Sequence, residues 1–189
     1  MRVIAGSHRG RRLTGPRGIS LRPTSDKVRE ALFSILGTRV AGGRFLDLYA
    51  GTGAVGIEAL SRGASLVTFV DSDPKAVQVL RKNLTTCGML EQAEVRVATT
   101  QRFLRQADWW RGPYDIVFAD PPYADQAAIA LVLESWHLGL LAPEAFMIIE
   151  QHAKIHPPAS TDCSQLLRRY DYGDTALLLY GKAPDGSVA

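Results

Sequence analysis

Apolar positions in this chain recur first at helical spacing and then in short continuous runs. Two runs at 2–5 and 11–14 flank a glycine-rich turn and predict a β-hairpin. Val28, Leu32, Ile35 and Leu36 fall on one helical face, in a helix capped by Thr24 or Ser25 that ends near Gly37. From Arg44 the rhythm alternates. Runs at 45–49, 66–70, 94–98, 114–119 and 146–150 predict strands, with helices over 55–61, 74–87, 101–106 and 127–136. Gly63 and Gly88 stop two of these helices, and Asp73-Pro74 opens one with proline at its first position. Runs at 166–172 and 175–180 flank Gly173-Asp174, a hairpin signal. Alternating strands and helices imply an α/β fold, a mostly parallel sheet covered on both faces with an antiparallel C-terminal hairpin at its edge. Residues 1–40 read as an N-terminal extension of hairpin plus helix, and 41–189 as the main domain.

Composition narrows the class. The chain has 189 residues, 46% of them hydrophobic and 22% charged, with a mean hydropathy of −0.03, as expected for an ordinary soluble domain. Cys87 and Cys163 are too few for a disulfide framework or a four-ligand zinc site, so no metal is expected and a reducing, cytoplasmic compartment is. No apolar run approaches the ~18 residues of a membrane span, and the opening residues lack the apolar core of a secretory signal.

The net charge of +3 hides an asymmetry. Residues 1–30 hold seven arginines and Lys27 against Asp26 and Glu30, a net of +6, which leaves the remainder at −3. A basic arm on a mildly acidic body suits a polyanionic partner, and arginine suits bidentate phosphate contacts. Arg9, Arg11, Arg12, Arg17 and Arg22 are the candidate contacts.

Gly51-Thr52-Gly53-Ala54-Val55-Gly56 matches the GxGxxG pattern between a strand and a helix, and Asp71 follows 20 residues after Gly51 at the end of the next strand. That context predicts a nucleotide-like ligand whose ribose hydroxyls meet Asp71. Asp47, four residues ahead of Gly51, would repel a pyrophosphate but attract an ammonium group. It tilts the reading from NAD towards S-adenosylmethionine, which carries an ammonium and a sulfonium and no phosphate. As an alternative role, Asp47 can cap nearby backbone N–H groups.

Asp120-Pro121-Pro122-Tyr123 follows the fourth strand, on the sheet edge where the glycine loop should also lie. The prolines stiffen the turn and leave carbonyls facing out. Asp120 and the Pro121 carbonyl offer two acceptors to an exocyclic amine, and Tyr123 a flat face to the base that bears it. Attack by an aryl amine requires its delocalised lone pair to localise, and two acceptors on the amine hydrogens favour that charge distribution.

These residues together resemble a known group. Asp47-Leu48-Tyr49-Ala50-Gly51-Thr52-Gly53 with Asp120-Pro121-Pro122-Tyr123 is similar to the class I S-adenosylmethionine-dependent amino-methyltransferases. Arg2-Val3-Ile4-Ala5-Gly6, Arg9-Gly10-Arg11, Arg22-Pro23-Thr24 and Arg29-Glu30-Ala31-Leu32-Phe33 resemble the opening of the RsmD family of 16S rRNA guanine-N2 methyltransferases. The resemblance implies a Rossmann-like seven-strand sheet and methylation of a guanine amine of 16S rRNA in an assembling small ribosomal subunit, by a monomer with no membrane partner. It implies that Asp47, Gly51 and Gly53 surround the methionine part of the cofactor, with Tyr49 and Thr52 also at the cofactor site, that Asp71 holds the ribose, and that 120–123 hold the guanine. Ser72 replaces a bulkier apolar residue of the family, and Thr99-Thr100 an acid or asparagine, on the adenine side. A DNA amino-methyltransferase acting on adenine or cytosine uses the same site, although no long insertion for target recognition is present. A nicotinamide oxidoreductase leaves 120–123 unexplained, and an RNA-binding assembly factor with a retained cofactor pocket is the non-enzyme alternative.

Overall fold

The computed structural model describes residues 1–15, 25–122, 126–156 and 161–183. Its seven-stranded sheet contains β1 (Arg44–Leu48), β2 (Leu66–Asp71), β3 (Ala93–Val97), β4 (Tyr114–Ala119), β5 (Leu141–His152), β6 (Ser164–Tyr172) and β7 (Thr175–Lys182). Their order is β3-β2-β1-β4-β5-β7-β6. The first five are parallel, while β7 runs antiparallel to β5 and β6 antiparallel to β7. The helices are α1 (Asp26–Leu36), α2 (Ala54–Ser61), α3 (Pro74–Cys87), α4 (Thr100–Leu104) and α5 (Gln126–Glu134). None is long and apolar enough to cross a membrane among the described residues.

Local chemistry sets the boundaries. Ser25, rather than Thr24, caps α1, its hydroxyl accepting from the Val28 N–H; Thr24 lies outside the described residues. Asp73 accepts from the Lys75 N–H at the start of α3, and Gly88 closes that helix in a left-handed conformation. Helix α3 is amphipathic, burying Ala76, Val77, Leu80 and Leu84. By contrast, every residue of α2 from Val55 to Ser61 is buried, because the N-terminal arm covers its outer side.

Two apolar cores sandwich the sheet. On one face Phe45, Ile116 and Ile148 meet α1, α2 and α3 together with Val3 and Leu13 of the arm. On the other, Leu46, Val117 and Met147 meet α4 and α5 through Phe103, Val132 and Leu133.

Three expectations need correction. The arm pairs over a shorter span than expected: Arg2 bridges Arg12 antiparallel, and across the turn Val3 donates to the Arg11 carbonyl, Gly10 to the Val3 carbonyl and Leu13 to the Met1 carbonyl. Beyond that pairing the chain turns to α2, Ile4 and Ala5 giving their N–H groups to Glu58 and Ser7 to the Ser61 carbonyl. Strand β5 starts at Leu141 instead of 146, with a register irregularity opposite Tyr114 and Ile116. Tyr49 leaves β1, because its φ of 62° is incompatible with a strand.

Candidate active site

The chain order reverses between β1 and β4, which are nonetheless neighbours in the sheet. In open α/β sheets such a reversal opens a crevice at the strand carboxyl ends. Leu48 is in register with Ala119, and the Asp120 N–H donates to the Leu48 carbonyl at 3.4 Å. The glycine loop after β1 and the Asp120-Pro121-Pro122 turn after β4 therefore leave one edge of the sheet side by side.

The glycines divide their work. Gly51 has φ 55°, and a Cβ built on it meets nothing within 4 Å, so the backbone there is open to a ligand. Gly53 has φ 81°, and its missing Cβ would stand 2.0 Å from Leu80 of α3. A Cβ on Gly56 would likewise strike Phe69 at 2.2 Å. Gly53 and Gly56 thus serve close packing of α2, and Gly51 the approach of a ligand. Thr52 between them is almost wholly buried. Tyr49, a bulky residue in left-handed backbone, holds strain of ~1–3 kcal/mol, as is common at ligand sites, and lines the cavity described below.

Acids close four of the five parallel strands. Asp71, ending β2, accepts from the Gly51 N–H at 2.7 Å through Oδ2 and from the Asp73 N–H at 2.8 Å through Oδ1. Asp47, 1% exposed on β1, accepts from the Gly56 N–H at 2.9 Å. It supplies from outside the helix a cap that Gly53, lacking a side chain, cannot give α2. Burial pushes the Asp47 carboxyl up to about 7; the negative Asp71 adds to this and the Gly56 bond opposes it.

Asp120 lies beyond the end of β4, and burial raises its pKa well above the ordinary carboxylate range, with further upward pushes from Glu150 and Asp47. Glu150, 3% exposed on β5, follows the register pair Ala119 and Ile149. Asp47, Asp120 and Glu150 thus form a row of carboxylates across β1, β4 and β5. A buried row of acids favours a cationic ligand, whose arrival lowers the cost of their ionisation.

Beside this row lies a cavity of about 570 Å³ between the ends of β2 and β3 and helices α4 and α5. Tyr49, Asp71, Ser72, Thr99 and Thr100 line it, as do Gln101, Arg105, Ala128 and Leu131. Its size suits a nucleoside. Ser72 and Thr99 are exposed within it, and the Thr99 hydroxyl is engaged in capping α4 through the Arg102 N–H. The apolar wall from α5 carries no motif in the sequence. Glu150 had one unused signal: like Asp71, it closes an apolar run at the carboxyl end of a parallel strand.

Pro121 is buried and Pro122 exposed. Tyr123, Arg17 and Arg22 lie outside the described residues. Arg9, Arg11 and Arg12 are exposed on the arm, with Arg11 also donating to the Thr86 carbonyl at 2.7 Å. Arg29, counted in the basic stretch, is instead fully buried on α1, where it donates to the Arg2 carbonyl and to Asp26. Trp109, Trp110 and Trp136 pack partly buried against the α4–α5 core.

Comparison with known proteins agrees along nearly the whole chain. The family model described as Conserved hypothetical protein 95 matches residues 1–181. The ribosomal RNA small subunit methyltransferase D of Haemophilus influenzae is 38% identical over 186 residues, covering 95% of this chain and 93% of its own. That of Escherichia coli is 36% identical over 191 residues, covering 98% and 92%. The solved structure of Escherichia coli yhhF, whose description assigns it to the methyltransferases, superposes with a TM-score of 0.83 at 36% identity, covering 96% of this chain and 97% of its own.

Proposed function

This chain belongs to the Conserved hypothetical protein 95 family, the RsmD family of methyltransferases, and from that membership we propose that it methylates the exocyclic N2 amine of a guanine in 16S rRNA, within an assembling small ribosomal subunit. The observation that carries this reading is the adjacency of the two loops at the β1–β4 reversal, on strands spaced ~4.8 Å apart. One loop is fit to hold a methyl donor and the other to present an amine.

The residues present fit S-adenosylmethionine. Gly51 leaves open space, Asp71 stands at a nucleoside-sized cavity, and Asp47 offers a buried negative charge to an ammonium group. When bound, the donor supplies a methyl group on a cationic sulfonium. Asp71 then accepts from the ribose hydroxyls while still holding the Gly51 and Asp73 N–H groups, since each oxygen has two lone pairs. Asp120 and the Pro121 carbonyl accept from the target amine and orient its lone pair. Tyr123, by its place in the motif, supplies the stacking face.

The bound donor would supply its methyl group to the amine nitrogen and depart as the neutral thioether, while Asp120 would take up the proton the amine gives up. Glu150 beside it holds the local charge that makes Asp120 a ready proton acceptor. The exposed Arg9 and Arg12 engage backbone phosphates, and the target base is unstacked into the site.

Asp120→Ala tests the division of labour. It should bind donor within about threefold of wild type by calorimetry yet lose ~100-fold or more in methyl transfer. Full turnover by this variant would overturn the assignment of Asp120.

A further inference from the structure

Asn83 lies on α3, away from the carboxylate row, and is 1% exposed. Its carboxamide reaches two separate parts of the chain. Oδ1 accepts from the Thr14 N–H at 2.8 Å, and Nδ2 donates to the Thr14 carbonyl at 3.1 Å. The same Nδ2 donates to the Thr52 carbonyl at 3.0 Å. One side chain therefore pairs with the arm as a neighbouring strand would, and gives its other N–H to the middle of the glycine loop. Both of its donors are used, so nothing remains free to replace a lost partner.

The arm has no core of its own and depends on such contacts. Besides Asn83 it is tied to α3 by Arg11 on the Thr86 carbonyl, and to α2 by Ile4 and Ala5 on Glu58 and by His8 on Ser61. Among these ties, the one at Asn83 continues directly into Thr52. If the arm lifts, the buried amide loses two bonds at once, and the penalty of an unpaired buried group falls on the orientation that holds Thr52. A seated arm thus favours one arrangement of the loop. Two sites that share a two-state element are coupled, and the coupling acts equally in both directions.

We propose that Asn83 is a positioning residue that couples the basic arm to the donor loop, so that substrate engaged through the arm tightens donor binding and donor binding in turn holds the arm for substrate. The proposal rests on the rRNA methyltransferase reading given above.

The test uses the full chain and S-adenosylhomocysteine, which binds at the donor site without reacting. Its affinity is measured by equilibrium dialysis with and without saturating undermethylated small ribosomal subunits. Wild type should bind at least about fivefold tighter with subunits present. Asn83→Ala removes the amide, and Thr14→Pro removes the N–H that Oδ1 accepts, cutting one link from either side so that one variant remains should the other not fold. Either should bring the ratio close to one, whereas Thr14→Ala, which keeps the backbone groups, should retain it. A purely structural Asn83 would lower the melting temperature and weaken binding equally with and without subunits, leaving the ratio unchanged, and that result overturns the proposal. A wild-type ratio of one overturns it as well. Methyl transfer to the same subunits separates the two failures: transfer with a ratio of one removes the coupling alone, and no transfer removes the functional reading with it.

Discussion

Gly51 donates its backbone N–H to Oδ2 of Asp71 at 2.7 Å, joining the first glycine of the loop to the acid that ends the next strand. The second oxygen takes the Asp73 N–H, so one carboxylate organises the loop after β1 and the entry to α3. The loop and this carboxylate are therefore held in place before any ligand arrives, which limits the ordering cost of the ribose binding proposed there. Asp71→Ala should weaken donor binding at least ~30-fold, about 2 kcal/mol for the lost charge-assisted bonds and the loosened loop. Calorimetric titration with S-adenosylhomocysteine checks this, and unchanged affinity would place the ribose elsewhere.

Asp47 carries opposite demands from folding and binding. Its carboxyl, raised to about 7 in the fold, holds a proton more tightly than in the unfolded chain. Its favourable contribution is therefore complete below the ordinary carboxylate range and is lost as pH rises towards and through about 7. Asp47→Asn should stabilise the free protein at pH 8 by on the order of 1–2 kcal/mol, with no gain at pH 4. The same variant should bind donor at least ~10-fold more weakly, having lost the partner of a cationic group. Thermal melts at the two pH values and a donor titration read both effects, and a variant equal to wild type in both would remove Asp47 from the site.

Glu150 adds to the effect of burial in raising the Asp120 pKa. Burial, Glu150 and Asp47 all raise the Asp120 pKa, so transfer should fall as pH drops at a value above the ordinary carboxylate range. Glu150→Gln removes one negative neighbour while keeping shape, and should move the acid limb of kcat/KM to lower pH by about one unit. A pH–rate profile identical to that of wild type would show that Glu150 does not act on Asp120.

Arg9 and Arg12 stand exposed on an arm whose backbone is fixed to α2 and α3. Replacing both by alanine should weaken binding to small subunits and flatten the plot of log affinity against log salt by about one to two units of slope. An unchanged slope would take these two side chains off the phosphate backbone.

Much of this arrangement was legible in the chain itself, and what was not has physical reasons. Strand β4 and helix α3 follow from a continuous apolar run and from Asp73-Pro74 with Gly88, because those signals are local. The meeting of the glycine loop with the Asp120 turn follows from a parallel sheet, whose carboxyl ends share one edge. In the arm the pairing of residues 1–3 with 10–13 was legible, but not that the N–H groups of Ile4, Ala5 and His8 turn instead to Glu58 and Ser61, more than 50 residues away. Asn83 gave no signal for the same reason, its partners Thr14 and Thr52 lying 69 and 31 residues distant. Glu150 looked like the end of an apolar strand, and it gains meaning only once β5 is placed beside β4. The split between Gly51 and Gly53 was hidden as well, since it depends on which one faces Leu80.

The central claim is that the donor loop and the amine-holding turn act together on a guanine of small-subunit rRNA. Incubating the protein with tritiated S-adenosylmethionine and undermethylated small subunits, then digesting the RNA to nucleosides, tests it most directly. Label should appear in N2-methylguanosine from 16S rRNA, and should vanish with Asp120→Ala. Label in methyladenosine, or none in the RNA, would contradict it.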